Sequence, residues 1–200
     1  MKEALLTILR NKETKRPEFR STAKKLSYLI AAEAAESIPL KEKEIQTPLA
    51  KTIGKVLSQD IILVPILRAG LALLPAFLDL FPEAKVGVFG IKRDEKTSLP
   101  ELYYEKLPKF TKNDHIFLLD PMLATGGSAI LAIHRLLKAG ATPEQIHLWG
   151  IIAAKPGLEA LAKVHPKVTL HLAATDSSLD GSHFIVPGLG DFGDRYFGNT

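Results

Sequence analysis

Five apolar runs constrain this chain more than anything else in it: DIILVPIL (60–67), KVGVFGI (85–91), HIFLLD (115–120), IHLWGIIAA (146–154) and VTLHLAA (168–174). Each has the length of a strand, and each is nearly continuous rather than alternating. Alternation would leave one face in water; a run apolar throughout must be covered on both faces. The segments between them carry helical spacing: AGLALLPAFLDLF (69–81), with a kink expected at Pro75, then AILAIHRLLKAG (129–140) and GLEALAKVH (157–165). Strands that alternate with helices and are buried on both sides predict an α/β fold around a parallel sheet. Upstream, STAKKLSYLIAAEAAES (21–37) reads as a helix, and TPLAKTIGKVLS (47–58) as another, with Thr47 as N-cap and Pro48 in the first turn. Pro65 has no N–H for a central ladder, so its strand is expected to end or turn irregular there. The polar stretch 92–109 reads as a long loop or exposed hairpin. HFIVP (183–187) reads as a last strand before a glycine-rich tail.

The 200 residues suggest a single domain over 1–200, and a hydrophobic fraction of 46% is enough for a real core. With no cysteine, neither disulfides nor thiolate metal sites are available. No apolar run reaches the roughly 18 residues of a membrane span, and nothing near Met1 reads as a secretory signal. A cytoplasmic protein without a membrane partner is expected. The net charge of +4 fits an anionic substrate or a generally basic surface, and the Lys and Arg are too scattered to expect a nucleic-acid partner. The six histidines form no i,i+4 pair and no close cluster in sequence. His115, His147 and His171 lie in or beside strands, where a packing role is expected rather than metal ligation.

Function points to DPMLATGGSAI (120–130), where a strand gives way to a helix. In open α/β sheets ligands sit beyond the carboxyl ends of strands, and this junction lies at such an end. Small residues allow the main chain to turn sharply and approach a ligand. The free N–H groups of a helix start, with the positive end of its dipole, suit a phosphate. Thr125 and Ser128 add hydroxyl donors, and Asp120 can accept from sugar hydroxyls. The same spacing fits an ordinary βα turn. A nucleotide-triphosphate loop is disfavoured because no Lys follows the glycine pair. GLGDFG (188–193) matches a dinucleotide fingerprint, but only seven residues follow it, too few for the helix that fingerprint requires.

DPMLATGGSAI resembles the phosphoribosyl-pyrophosphate (PRPP) motif of type I phosphoribosyltransferases, and specifically that of the uracil phosphoribosyltransferase family. ILVPILRAGL (62–71), GIKRDEKT and YYEKLP within 90–108, and FIVPGLGDFGDRYFG (184–198) match the same family in the same order. The resemblance implies the phosphoribosyltransferase fold, with a small hood formed largely by the C-terminal segment. It implies transfer of the phosphoribosyl group to N1 of uracil, giving UMP and pyrophosphate. Asp120, Pro121, Met122, Leu123, Ala124, Thr125, Gly126, Gly127 and Ser128 would hold the ribose hydroxyls and 5-phosphate. Arg68 would face the pyrophosphate, with Arg93 covering it from the long loop as a lid. Ile185, Gly190, Asp191 and Phe192 would recognise uracil mainly through backbone groups, with Asp191 also near the reacting centre. Arg68, Arg93 and Asp191 are thus the catalytic candidates. Mg²⁺ would be carried by PRPP, GTP would be an effector, and the protein would be a homo-oligomer. Lys92 stands where the family often has an aromatic residue, and Phe192 where many bacterial members have Ala. Two rivals are a fold of this type serving as an RNA-binding regulator, and an enzyme acting on another base.

Overall fold

The structure is a computed structural model and describes residues 1–93 and 99–198. In chain order its elements are α1 (Lys2–Arg10), α2 (Arg16–Ser37), β1 (Leu40–Gln46), β2 (Lys51–Leu57), β3 (Ile61–Leu67), α3 (Leu74–Leu80), β4 (Lys85–Val86), β5 (Val88–Arg93), β6 (Pro100–Lys106), β7 (His115–Leu119), β8 (Met122–Leu123), α4 (Gly127–Lys138), β9 (Ile146–Ala154), α5 (Lys155–Val164), β10 (Thr169–Asp176), β11 (Ser178–Leu179), β12 (Ile185–Val186) and α6 (Phe192–Phe197). The main sheet runs β10-β9-β7-β3-β5-β6, with β4 beside β3 and β8 beside β9. All its pairings are parallel except β5 with β6.

The continuous apolar runs sort residue by residue into two cores, because successive side chains leave a strand on opposite faces. Ile61, Leu63, Phe117, Leu119, Trp149 and Ile151 face one way, onto α1, α2 and α3. Ile62, Val64, Ile116, Leu118, Ile146 and Leu148 face the other, onto α4 and α5. The helices match this from their own spacing. In α2 the buried residues include Phe19, Ala23, Leu26, Ile30 and Ala34, one stripe at three- and four-residue steps. In α4 they are Ala129, Ala132, Ile133 and Leu136. The α/β expectation holds. The C-terminal hood consists of the β11–β12 hairpin and α6, above the carboxyl ends of the strands. Among the described residues no helix is long and apolar enough to cross a membrane.

The helix expected over 47–58 is wrong. Residues 40–57 form an antiparallel hairpin, paired from Leu40 opposite Leu57 to Gln46 opposite Lys51. Thr47 does what suggested an N-cap: its Oγ1 accepts the N–H groups of Leu49 (3.2 Å) and Ala50 (3.0 Å). The Thr47 N–H, however, donates to the Ala50 carbonyl at 2.9 Å, which closes a tight turn. β-branched Thr52, Ile53 and Val56 then favour a strand. The same local hydrogen bonds serve a helix start or a turn.

Pro65 does not end its strand; β3 runs on to Leu67. The Asp60 carbonyl accepts from His115 on β7, and the Leu63 carbonyl accepts from Gly87 on the other side. Odd-numbered residues of β3 therefore turn their main chain away from β7. The missing N–H of Pro65 falls where β4 stops and β5 begins, so the irregularity sits in the neighbouring strand. The single strand expected over 85–91 is correspondingly split at Gly87. Instead of one kinked helix over 69–81 there is a 3-10 turn, Ala69–Ala72, and then α3, with Pro75 in its first turn. The last strand is short and pairs with β11 outside the main sheet.

Register brings together histidines that sequence left apart. His115 Nδ1 lies 3.3 Å from His147 Nε2, and His147 Nδ1 lies 3.4 Å from His171 Nε2. The His171 ring stacks on Trp149 at 3.6 Å. Burial is the main cause that pushes His147 down to about 4, with His115 and His171 adding to it.

Candidate active site

The carboxyl end of β3 with Arg68, β5 at Ile91 and Lys92, the loop after β7 at Met122 and Ala124, and the C-terminal hood converge on one open cleft of about 460 Å³. Arg68, Met122, Ala124, Ile185, Gly190, Asp191 and Phe192 all line it, from four stretches of sequence. A smaller hollow of about 20 Å³ is lined by Asp120 and residues 122–129, and it shares Met122 and Ala124 with the larger one. Pro121 lies in the same turn, and its carbonyl accepts from Ile151 and Ile152 of β9.

The first turn of α4 is arranged as an anion site. Its N-cap is Gly126, at φ +83°, with no side-chain cap and no acidic residue in the first turn. Main-chain N–H groups and the positive dipole end therefore face the hollow without an internal carboxylate. Of the glycine pair, Gly126 is the one the backbone demands, by its left-handed φ. A Cβ on Gly127 would meet Pro100 at 3.4 Å, ordinary contact. Thr125 Oγ1 lies 3.5 Å from the Gly127 nitrogen. Asp120 is buried at the tip of β7, where its Oδ1 accepts the Met122 N–H at 3.3 Å.

Glycines outside the motif hold this loop, and sequence reasoning missed them. A Cβ on Gly157, in the first turn of α5, would lie 2.3 Å from the Ala124 carbonyl oxygen. One on Gly150 of β9 would lie 2.6 Å from the Asp120 carbonyl oxygen, and one on Gly70 2.3 Å from that of Leu119. Three neighbouring elements thus press bare backbone against the loop carbonyls. A signal existed at 157: glycine in a first turn lowers helix stability, so it implies close approach.

Arg68 follows β3 and is exposed, its guanidinium 5.6 Å from the ring centre of Phe197 in the hood. Among the described residues no carboxylate lies within ion-pair distance of it. Lys92 also lines the cleft and pairs with Glu101 across the β5–β6 hairpin at 3.2 Å. Arg93 closes β5; its side chain, and residues 94–98 of the expected lid, lie outside the described residues. Pro100–Lys106 forms β6, antiparallel to β5, which is the exposed-hairpin alternative for 92–109. Arg135 of α4 donates from Nε to Glu105 at 2.6 Å, which ties that hairpin to the anion-site helix.

In the hood, Ile185 and Phe192 turn their side chains into the core; Phe192 packs on Phe19 with ring centres 5.3 Å apart. Only their main chain is left for a ligand. The tail is not helix-free: Asp191 caps α6 by accepting the Asp194 N–H at 2.8 Å. Flanking glycines obscured that short helix.

A model of the family described as uracil phosphoribosyltransferase matches residues 1–199. A protein of that name from Lactococcus lactis is 45% identical over 194 residues, 96% of this chain and 92% of that protein. One from Lactiplantibacillus plantarum is 46% identical over the same share of each. A solved protein from Aquifex aeolicus superposes with a TM-score of 0.92 at 36% identity, covering 100% of this chain and 95% of that one. An adenine phosphoribosyltransferase from Rhodothermus marinus shares the fold, with a TM-score of 0.52 at 15% identity over 80% of each chain.

Proposed function

This chain belongs to the uracil phosphoribosyltransferase family, and from that premise we propose how its cleft divides the work. The enzyme transfers the phosphoribosyl group of PRPP to N1 of uracil, giving UMP and pyrophosphate in pyrimidine salvage. One observation supports the division: residues from four separated stretches line a single cleft beyond the carboxyl ends of the strands.

The N–H groups opening α4, with Thr125 and Ser128, take the 5-phosphate. The Asp120 carboxylate accepts from the ribose hydroxyls. Arg68 and Arg93 bind the pyrophosphate, and the main chain at Ile185, Gly190 and Phe192 reads uracil. Bond breaking ahead of attack builds positive charge on the sugar and negative charge on the leaving group. Positioned charge and orientation are therefore needed more than a nucleophile. Arg68 meets the growing negative charge on pyrophosphate. Asp191, on the same cleft, faces the growing positive charge on the ribose.

Mg²⁺ prefers carboxylate, phosphate and water oxygens. An ion carried in on the pyrophosphate fits a cleft lined by both Asp191 and Arg68, and it would neutralise leaving-group charge. The cytoplasm, where donor and Mg²⁺ coexist, is the proposed compartment. The proposed oligomer uses the β1–β2 hairpin, which exposes Leu40, Ile45, Leu49 and Ile53. A lone two-stranded hairpin is marginal in water, so its apolar side chains are assigned to a second copy.

The test is a product assay with uracil, PRPP and Mg²⁺. UMP should form at a rate that falls with Arg68→Ala and with Gly190→Val, and GTP titrated into the same assay reads its effector role. Unchanged UMP formation by both variants would overturn the site assignment.

A further inference from the structure

Gly188 lies between Ile185 and Gly190, whose main chain is assigned to uracil, at φ +60°, with an added Cβ only 2.0 Å from the Ile185 carbonyl oxygen. Both of its main-chain groups are taken by one ion pair. The Gly188 N–H donates to Asp176 Oδ2 at 2.8 Å, and Arg10 Nη1 donates to the Gly188 carbonyl at 2.8 Å. Arg10 and Asp176 meet fork to fork, Nη1 to Oδ2 at 2.7 Å and Nη2 to Oδ1 at 2.6 Å. Arg10 is the last residue of α1, and Asp176, only 7% exposed, ends β10. A second arginine works beside them. Arg195 of α6 donates to the carbonyls of Leu189 (2.7 Å), Asn11 (2.7 Å) and Leu9, and lies 4.3 Å from the centre of the Phe19 ring. None of these groups lines the cleft, so the chemistry leaves them without a role.

We propose that Arg10 and Asp176 are positioning residues for uracil: their ion pair grips Gly188 by both main-chain groups and sets the height and tilt of the loop that meets the base. The proposal rests on the assignment of uracil to the Gly190–Phe192 backbone. A base read by main chain depends on where the loop is held, and a glycine-rich loop is costly to order. A guanidinium fork fixes two oxygens and an additional acceptor in one plane; an ammonium does not. Hydrogen bonds from Arg10 hold the Asp176 carboxyl below the usual carboxylate range, so both partners are charged at neutral pH.

The experiment compares Arg10→Lys, Asp176→Asn and Gly188→Ala by uracil KM, kcat, calorimetric PRPP affinity and Tm. Loss of charge-assisted hydrogen bonds should raise uracil KM about tenfold or more in Arg10→Lys, with kcat and PRPP affinity near wild type. Asp176→Asn should behave alike; Arg10→Lys leaves Asp176 with a cation beside it, and so carries the test if the Asn variant does not fold. Uracil KM unchanged in Arg10→Lys but raised in Gly188→Ala would overturn the clamp and leave the base site standing. Uracil KM unchanged in Gly188→Ala would overturn the base-site assignment itself. Equal loss of uracil and PRPP binding in Arg10→Lys would make the pair merely structural and refute the proposal.

Discussion

Gly157→Ala should disable the donor site from behind while leaving every motif residue in place. In a helix this exchange ordinarily stabilises by about 0.5–1 kcal/mol, which for a chain of this size would raise Tm by roughly 1–4 °C. Here the new Cβ would stand 2.3 Å from the Ala124 oxygen and 3.1 Å from that of Leu123, against the 3.4 Å at which ordinary contact begins. The atoms it meets are backbone, so no rotamer change relieves the overlap. Either α5 or the loop must give by about 1 Å in a close-packed interior. The loop is the softer of the two, since it lies open to the hollow while Leu161 anchors α5 in the core. A misplacement of about 1 Å in a positioning group can cost about 100-fold in rate, equivalent to roughly 2.7 kcal/mol of transition-state binding. We therefore expect kcat/KM for PRPP to fall about 100-fold, with uracil KM, measured at saturating PRPP, less affected. The control is Gly181→Ala, where an added Cβ meets nothing within 4 Å. Initial rates across a PRPP series, together with Tm, provide the assay. A Gly157→Ala protein with raised Tm and unchanged PRPP kinetics would refute the argument that this glycine exists to let the loop approach.

Arg68→Ala should lower kcat by about 2–4 kcal/mol in barrier with little change in uracil KM; initial rates at saturating PRPP decide, and a pure uracil KM effect would contradict the pyrophosphate role. Uracil should be preferred over cytosine by a factor on the order of 100 or more, because a reversed hydrogen-bonding edge leaves buried groups unpaired; competition assays read it. His147 stays neutral in the fold to about 4 but takes a proton from about 6.5 downward once unfolded. The unfolded chain then binds more protons, so stability should fall as pH drops through that window. Urea midpoints should show the slope, and His147→Gln should flatten it. Ile53→Lys on the exposed hairpin should shift the sedimentation coefficient toward that of a single chain, and an unchanged value would exclude the hairpin as the contact.

Much of the main sheet was legible because its strands are covered on both faces, so that burial writes itself as unbroken apolar runs. The 40–57 hairpin was not, since it faces solvent and its sequence lacks such a run; Thr47 supplied the wrong signal by making cap-like hydrogen bonds in a turn. Pro65 was legible in position but not in consequence, because which neighbour its missing N–H faces depends on register. The strand-to-helix junction at 120–128 could be read from its own residues. Its supports at Gly70, Gly150 and Gly157 could not, as each is defined by a carbonyl on another element. The Arg10–Asp176 pair was hidden for the same reason: 166 residues separate its members.

That separation also sets an order of assembly. The donor loop belongs to a strand–turn–helix unit, Asp120 to Lys138 with β7 before it, whose pieces are contiguous in the chain. The loop proposed to meet uracil is held by residues far apart in the chain, with Arg195 reaching back 186 positions to Leu9. Closing so long a loop carries an entropic cost that contacts within the strand–turn–helix unit do not incur, and Arg195 comes later in the chain than the whole of that unit. On the proposed division of the cleft, a growing chain therefore completes its phosphate cradle before the loop that would meet the base is held in place.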